Sequence, residues 1–147
     1  MKKTIALFFC LFTSCHLTIW GKTITVSNIT ELQLADKQAQ PGDLILIKNA
    51  EWNNVNIILS AKGTELAPIT FRPVNAGGLT IVGQSNLSLG GSWLIVDGWY
   101  FSNGNSGKKA VIDFQTSSNQ VANHCRITNC VIDGFNNKKR LEENYWV

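Results

Sequence analysis

Short runs rich in β-branched and aromatic residues recur along most of the chain, each bounded by turn-forming residues. They cover Leu44 to Ile47, Val55 to Leu59, Ile69 to Arg72, Leu79 to Val82, Asn86 to Leu89, Trp93 to Val96, Val111 to Phe114 and Arg126 to Ile132. That composition and length predict strands. The stretches between them, Lys62-Gly63-Thr64, Asn75-Ala76-Gly77-Gly78, Gly90-Gly91-Ser92 and Asn103 to Gly107, have loop and turn chemistry, and none reads as a domain linker. One segment has a different period. After a short first strand, Thr23 to Val26, Asn28 and Glu31 have capping-box spacing, and Ile29, Leu32, Ala35 and Ala39 fall near one helical face. Pro41-Gly42-Asp43 then stops the helix.

A repeat separates the two all-β architectures that fit this pattern. Leu94 to Ser102 aligns with Cys125 to Asp133, apolar residues facing each other at four positions, at an offset of 125 minus 94, or 31 residues. An offset of that size suits one coil of a β-solenoid, with Gly104 to Lys109 as an inserted loop. In a solenoid each strand stacks on its equivalent in the next turn, and an Asn at a corner can bond to the corner above. Asn103, Asn129, Asn136 and Asn137 are candidates. A β-sandwich is the rival arrangement.

The first twenty residues differ in kind. Lys2 and Lys3 precede an apolar run from Ile5 to Phe12, and no acidic residue occurs before Glu31. This is the pattern of a secretory signal, and the run is short for a bilayer-spanning helix of roughly 20 residues. Phe12-Thr13-Ser14-Cys15 resembles a lipobox, which would make Cys15 a lipidated first residue; ordinary cleavage near Gly21 is the alternative. The chain is thus expected to be exported, as a periplasmic, secreted or outer-surface lipoprotein. It reads as a signal over residues 1–21 and one domain over residues 22–147. Removing Lys2 and Lys3 leaves 13 minus 2, or 11, basic residues against 10 acidic ones. So near-neutral a chain has no general electrostatic reason to bind nucleic acid or an anionic membrane, and membrane attachment is expected only through a lipid.

Cys125 and Cys130 remain after the signal. Along one extended segment their Cα atoms would lie about 16 Å apart, beyond disulfide reach. They are expected as thiols on the inner face unless the strand bends sharply between them. With His124 as the one histidine outside the signal, a zinc site is not expected, and no metal ligand is assigned.

Several segments in order resemble polysaccharide lyase family 6, which includes chondroitinase B and alginate lyases. They are Pro41-Gly42-Asp43 with Leu44 to Ile47, Lys62-Gly63-Thr64, Ala67 to Pro73, Leu94 to Phe101, Cys125 to Cys130, and Glu143 to Val147. The resemblance implies a right-handed parallel β-helix with a short N-terminal capping helix. It also implies cleavage of an anionic, uronate-containing polysaccharide by β-elimination, in which a base removes the C5 proton and an acid assists the leaving oxygen at C4. In the family a Ca²⁺ held by Asn and Glu neutralises the uronate carboxylate, a Lys is the base and an Arg takes part as the acid. Those residues lie beyond the family's equivalent of Glu143 to Val147, so none is carried over. Val147 falls within a strand-like segment, and the solenoid is expected to be truncated there, its catalytic centre in further coils and this part alone inactive.

Within the sequence, Lys138-Lys139-Arg140 is the one basic run outside the signal and the candidate contact for an anionic sugar chain; a solvated loop beside Glu142 and Glu143 is the plainer reading. Asp97 and Asp133 both precede Gly, which is turn chemistry before it is a hydrolase pair. Trp52, Trp93, Trp99, Tyr100 and Trp146 are expected chiefly in packing, and His124 as a loop or strand-edge residue without a partner. The expected function is an exported lyase, alginate favoured over dermatan or chondroitin sulfate on the family's frequency alone. A non-catalytic surface β-helix that binds glycan or acts as an adhesin is the alternative.

Overall fold

The computed structural model describes residues 21–136. In chain order the elements are β1 (Thr23–Val26), α1 (Ile29–Gln38), β2 (Leu44–Ile47), β3 (Ala50–Asn53), β4 (Asn56–Leu59), β5 (Ile69–Pro73), β6 (Leu79–Gln84), β7 (Asn86–Leu89), β8 (Leu94–Asp97), β9 (Trp99–Asn105), β10 (Ile112–Asp113), β11 (Gln115–Ser117), β12 (Gln120–Val121), β13 (Arg126–Thr128) and β14 (Val131–Asp133). Three sheets run along the molecule in the orders β1-β2-β5-β8-β13, β3-β6-β9-β14 and β4-β7-β10. Every pairing within them is parallel. Strands that follow one another in sequence thus lie in different sheets, and the chain closes one coil before pairing. This is a parallel β-helix, which excludes the sandwich.

Alternation explains the core. In β5 the side chains of Ile69, Phe71 and Pro73 point inward and are buried, while Arg72 is exposed. The register stacks like on like: Ile45 on Phe71 on Val96 on Ile127 in the first sheet, and Trp52 on Ile81 on Phe101 on Ile132 in the second. Ile57, Leu87 and Ile112 form the row of the third sheet. Each row therefore shares a dry interior, where the close packing of side chains replaces water contacts along the whole axis. Trp99 is fully buried there, and its Nε1 finds no hydrogen-bond acceptor among the described residues.

One end of this interior is covered by α1. Asn28 caps the helix, its Oδ1 accepting from Glu31 N at 2.9 Å, while the Glu31 carboxylate accepts from Ser27 N at 2.7 Å and Asn28 Nδ2 at 2.8 Å. The expected capping box is present. Leu32 and Ala35 are buried against the first strands, and so is Asp36. Asp36 accepts from the backbone N–H of Ser60 and of Ala61, fastening the helix to the turn after β4. At the helix stop, Asp43 accepts from Lys22 N and Gln40 N, both at 2.9 Å.

The 31-residue offset reappears as strand register, Arg126 on Ile95 and Val131 on Tyr100. Some boundaries differ from expectation. The segment from Arg126 to Ile132 is two strands, because Asn129 takes φ 52° and turns the chain from one sheet into the next. Ala50–Asn53 is a strand not among those expected, and Trp99–Asn105 runs on through Asn103 to Asn105, which read as loop, since neighbouring coils supply their hydrogen-bond partners. Asn103 and Gly104 accordingly belong to β9, at an irregularity in its pairing with β6, rather than to a free loop. The connection from β9 to β10 is longer than that from β6 to β7, as the expected insertion requires, but the same coil gains a second extension. That is the antiparallel hairpin of β11 and β12.

Candidate functional site

The strands that bury one row present the other. Across β2, β5, β8 and β13 the outward row aligns Leu44, Thr70, Ile95 and Arg126, and Leu46 stands beside Arg72. Arg72 and Arg126 are exposed, as is Lys62 on the approach to β5. Among the described residues the one ion pair joins Lys22 and Asp43, so none of these three cations is neutralised by a carboxylate there. Asp97, on the same sheet, accepts from Asn129 Nδ2 at 2.7 Å. That bond links successive coils, the role expected of Asn129.

The edge of this face is a stacked corner. Lys62, Ser92 and Asn123 bridge in parallel from coil to coil, and the residues that follow them are Gly63, Trp93 and His124. Gly63 N donates to Ser92 O and Trp93 N to Asn123 O, locking the three levels together. Gly63 has no room for a side chain, since a Cβ would fall 2.8 Å from Trp93 O. The Trp93 and His124 rings lie 4.1 Å apart and 9° from parallel. Beside them opens a cleft of about 620 Å³ lined by Lys62, Ser92, Asn119, Gln120 and Asn123 among others.

Two expectations change here. Trp93 is not a strand or core residue, because its φ of 54° places it at the corner before β8, half-buried. His124 has a ring partner, Trp93, at the same 31-residue offset and one position before the aligned segments. The other aromatics follow expectation in part: Trp52 and Trp99 are buried, whereas Tyr100 faces outward and its hydroxyl donates to Asp133 at 3.0 Å. That contact raises the Tyr100 pKa. Asp97 and Asp133 end β8 and β14, in different sheets, so they are neither a pair nor equivalent corners; Gly98 and Gly134 after them take positive φ, as turn chemistry requires. Cys125 and Cys130 are free and half-buried against the core, on either side of the bend at Asn129. Burial raises the Cys130 pKa against the N–H groups of Trp99, Gly98 and Thr128, which favour the thiolate.

Lys138, Lys139, Arg140, Asn137, Trp146 and Cys15 lie outside the described residues. Sequence reasoning passed over Lys62, Arg72 and Arg126, although the alternation of β5 and β13 was signal enough to put the two arginines outside. Among the described residues no group of three or more His, Cys, Asp or Glu could hold a metal ion. No helix there is long and apolar enough to cross a membrane.

Comparison with known proteins places this architecture. The family model for chondroitinase B matches residues 26–147. Among solved structures, the PL6 family alginate lyase AlyGC superposes with a TM-score of 0.81 at 37% identity, over 84% of this chain and 17% of that one. A PL6 family polysaccharide lyase from Pseudopedobacter saltans gives 0.75 at 32% identity, over 84% of this chain and 27% of its own. A mannuronic acid specific family 6 lyase from human gut microbiota gives 0.73 at 28% identity, over 84% and 30%. This chain therefore spans under a third of the length of each of these lyases. No curated protein matches it. With its ordered segments, its stacked coils and the family match all in agreement, the chain belongs to the chondroitinase B family, polysaccharide lyase family 6.

Proposed function

We propose that this chain forms the N-terminal coils of an exported lyase that cleaves alginate by β-elimination, the reaction centre being built by coils beyond those described. The observation that carries the reading is the family match over residues 26–147 on a β-helix 37% identical to an alginate lyase. A second relative is specific for mannuronic acid, which favours alginate over dermatan sulfate. The outward cations Lys62, Arg72 and Arg126 suit an anionic polymer, because guanidinium groups pair with carboxylates in a bidentate fork. Among the described residues no group of three or more His, Cys, Asp or Glu gathers, and no calcium ligand is named from them. Calcium is accordingly assigned to the whole lyase and takes no part in the chemistry assigned to these coils, which is to present a rigid cationic face to the substrate chain.

The test compares the protein of the full reading frame with residues 22–147, on alginate and on dermatan sulfate, with and without a calcium chelator. Formation of unsaturated product is followed by ultraviolet absorbance. Activity of the full protein on alginate, lost on chelation, is the expected result. Activity on neither polymer would favour a glycan-binding β-helix, and activity of residues 22–147 alone would place the centre within them.

A further inference from the structure

Five non-glycine residues among those described adopt left-handed backbone: Asn54, Trp93, Asn103, His124 and Asn129. Three are asparagine and His124 is of a type that also tolerates that conformation, whereas the bulky Trp93 held there costs free energy and points to a purpose for the side chain. Trp93 and His124 also occupy the same corner of successive coils, where asparagine would satisfy the backbone equally well. Their rings are stacked, one coil on the next. Arg126 follows two residues later on the outward row of β13, Lys62 lies one coil below Trp93, and Ser92 and Asn123, which precede the two rings, line the cleft.

We infer that the Trp93–His124 corner is a sugar-binding platform for a uronate-containing chain, a subsite apart from the reaction centre. A pyranose has an apolar C–H face that packs on an aromatic ring, and a uronate adds a carboxylate at its rim. The platform offers both partners: ring surface at the corner, with Arg126 and Lys62 placed to meet carboxylates along the polymer. Ser92, Gln120 and Asn123 along the cleft supply donors and acceptors for hydroxyl groups. The assignment rests on the lyase reading for its substrate class, and its test is a binding measurement that needs no turnover.

The full chain is titrated with mannuronate and guluronate oligosaccharides by calorimetry, beside Trp93→Asn, His124→Asn and Arg126→Gln. Asparagine is chosen because it fits the corner, and circular dichroism confirms that each variant folds. Wild type is expected to bind, the asparagine variants to weaken binding about tenfold, as one lost ring contact implies, and Arg126→Gln to lower the salt dependence of binding. Unchanged affinity in a folded Trp93→Asn or His124→Asn, or no binding by wild type, overturns the platform. Lyase activity of the full reading frame is scored separately. Product formation with unchanged oligosaccharide binding in the variants sinks the platform alone, whereas absence of product on any uronate polymer sinks the lyase reading.

Discussion

The capped end of the solenoid and the corner at Trp93 and His124 are built on opposite logics. At the cap, polar groups are matched: Asn28 with Glu31, Asp36 with the backbone of Ser60 and Ala61, Asp43 with Lys22 and Gln40. At the corner, the bulky Trp93 takes left-handed backbone with the His124 ring stacked on it, and Lys62 and Arg126 nearby form no ion pair with a carboxylate among the described residues. The cap has the character of a part selected to stay closed. The corner retains local strain and uncompensated charge, the pattern of a surface that meets something else.

The contrast can be broken most forcefully in the core that both regions share. Phe71 is fully buried between Ile45 and Val96, so Phe71→Ala should cost about 3–5 kcal/mol. Urea denaturation checks this; a loss below about 1 kcal/mol would mean that the coils repack around the gap.

Next in size is the fastening of the cap. Asp36→Ala removes the acceptor for Ser60 N and Ala61 N, and leaving buried donors unpaired should cost about 1–3 kcal/mol. Asp36→Asn keeps one acceptor oxygen and should cost less. Burial, outweighing the backbone hydrogen bonds, raises the Asp36 pKa above its ordinary 3.8. The folded state therefore holds this proton more tightly than the unfolded chain does. Its contribution is complete below pH 3.8 and is lost as pH rises through the folded-state value. Melting temperature followed from pH 3 upward should carry this slope in wild type and lack it in Asp36→Asn, so equal slopes would count against the assignment.

The corner answers to a paired substitution. His124→Val puts a β-branched residue at φ 52° and should destabilise by about 1–3 kcal/mol, whereas His124→Asn should stay near wild type. If both variants lose stability equally, the stacked ring itself holds the corner and the strain argument for a binding role weakens. The smallest expected effect is at the helix cap, where Asn28→Ala should cost about 1 kcal/mol in the same denaturation experiment.

Much of the fold was legible because its signals are local. The capping box, the helix stop at Pro41-Gly42-Asp43 and the alternation of β5 each depend on residues a few positions apart. The 31-residue offset was legible too, since stacking like on like leaves a repeat in the sequence. Asp36 was missed although it sits beside Ala35 on the apolar side of the helix, because a lone acid there reads as solvated until its partners at Ser60 and Ala61 are known.

The sequence by itself determined the fold class, the family and the cap, because strand alternation and helix capping are properties of contiguous residues. Only the tertiary structure decided which corner holds stacked rings, where the Arg126 to Ile132 segment turns, and that Lys62, Arg72 and Arg126 share one flank. The 31-residue offset, extended by one position, already pairs Trp93 with His124, but whether two rings at paired corners stack depends on backbone and side-chain geometry that the offset does not carry. A solenoid writes its period into the chain, but the pairing of coils is settled by the packing of the rows inside.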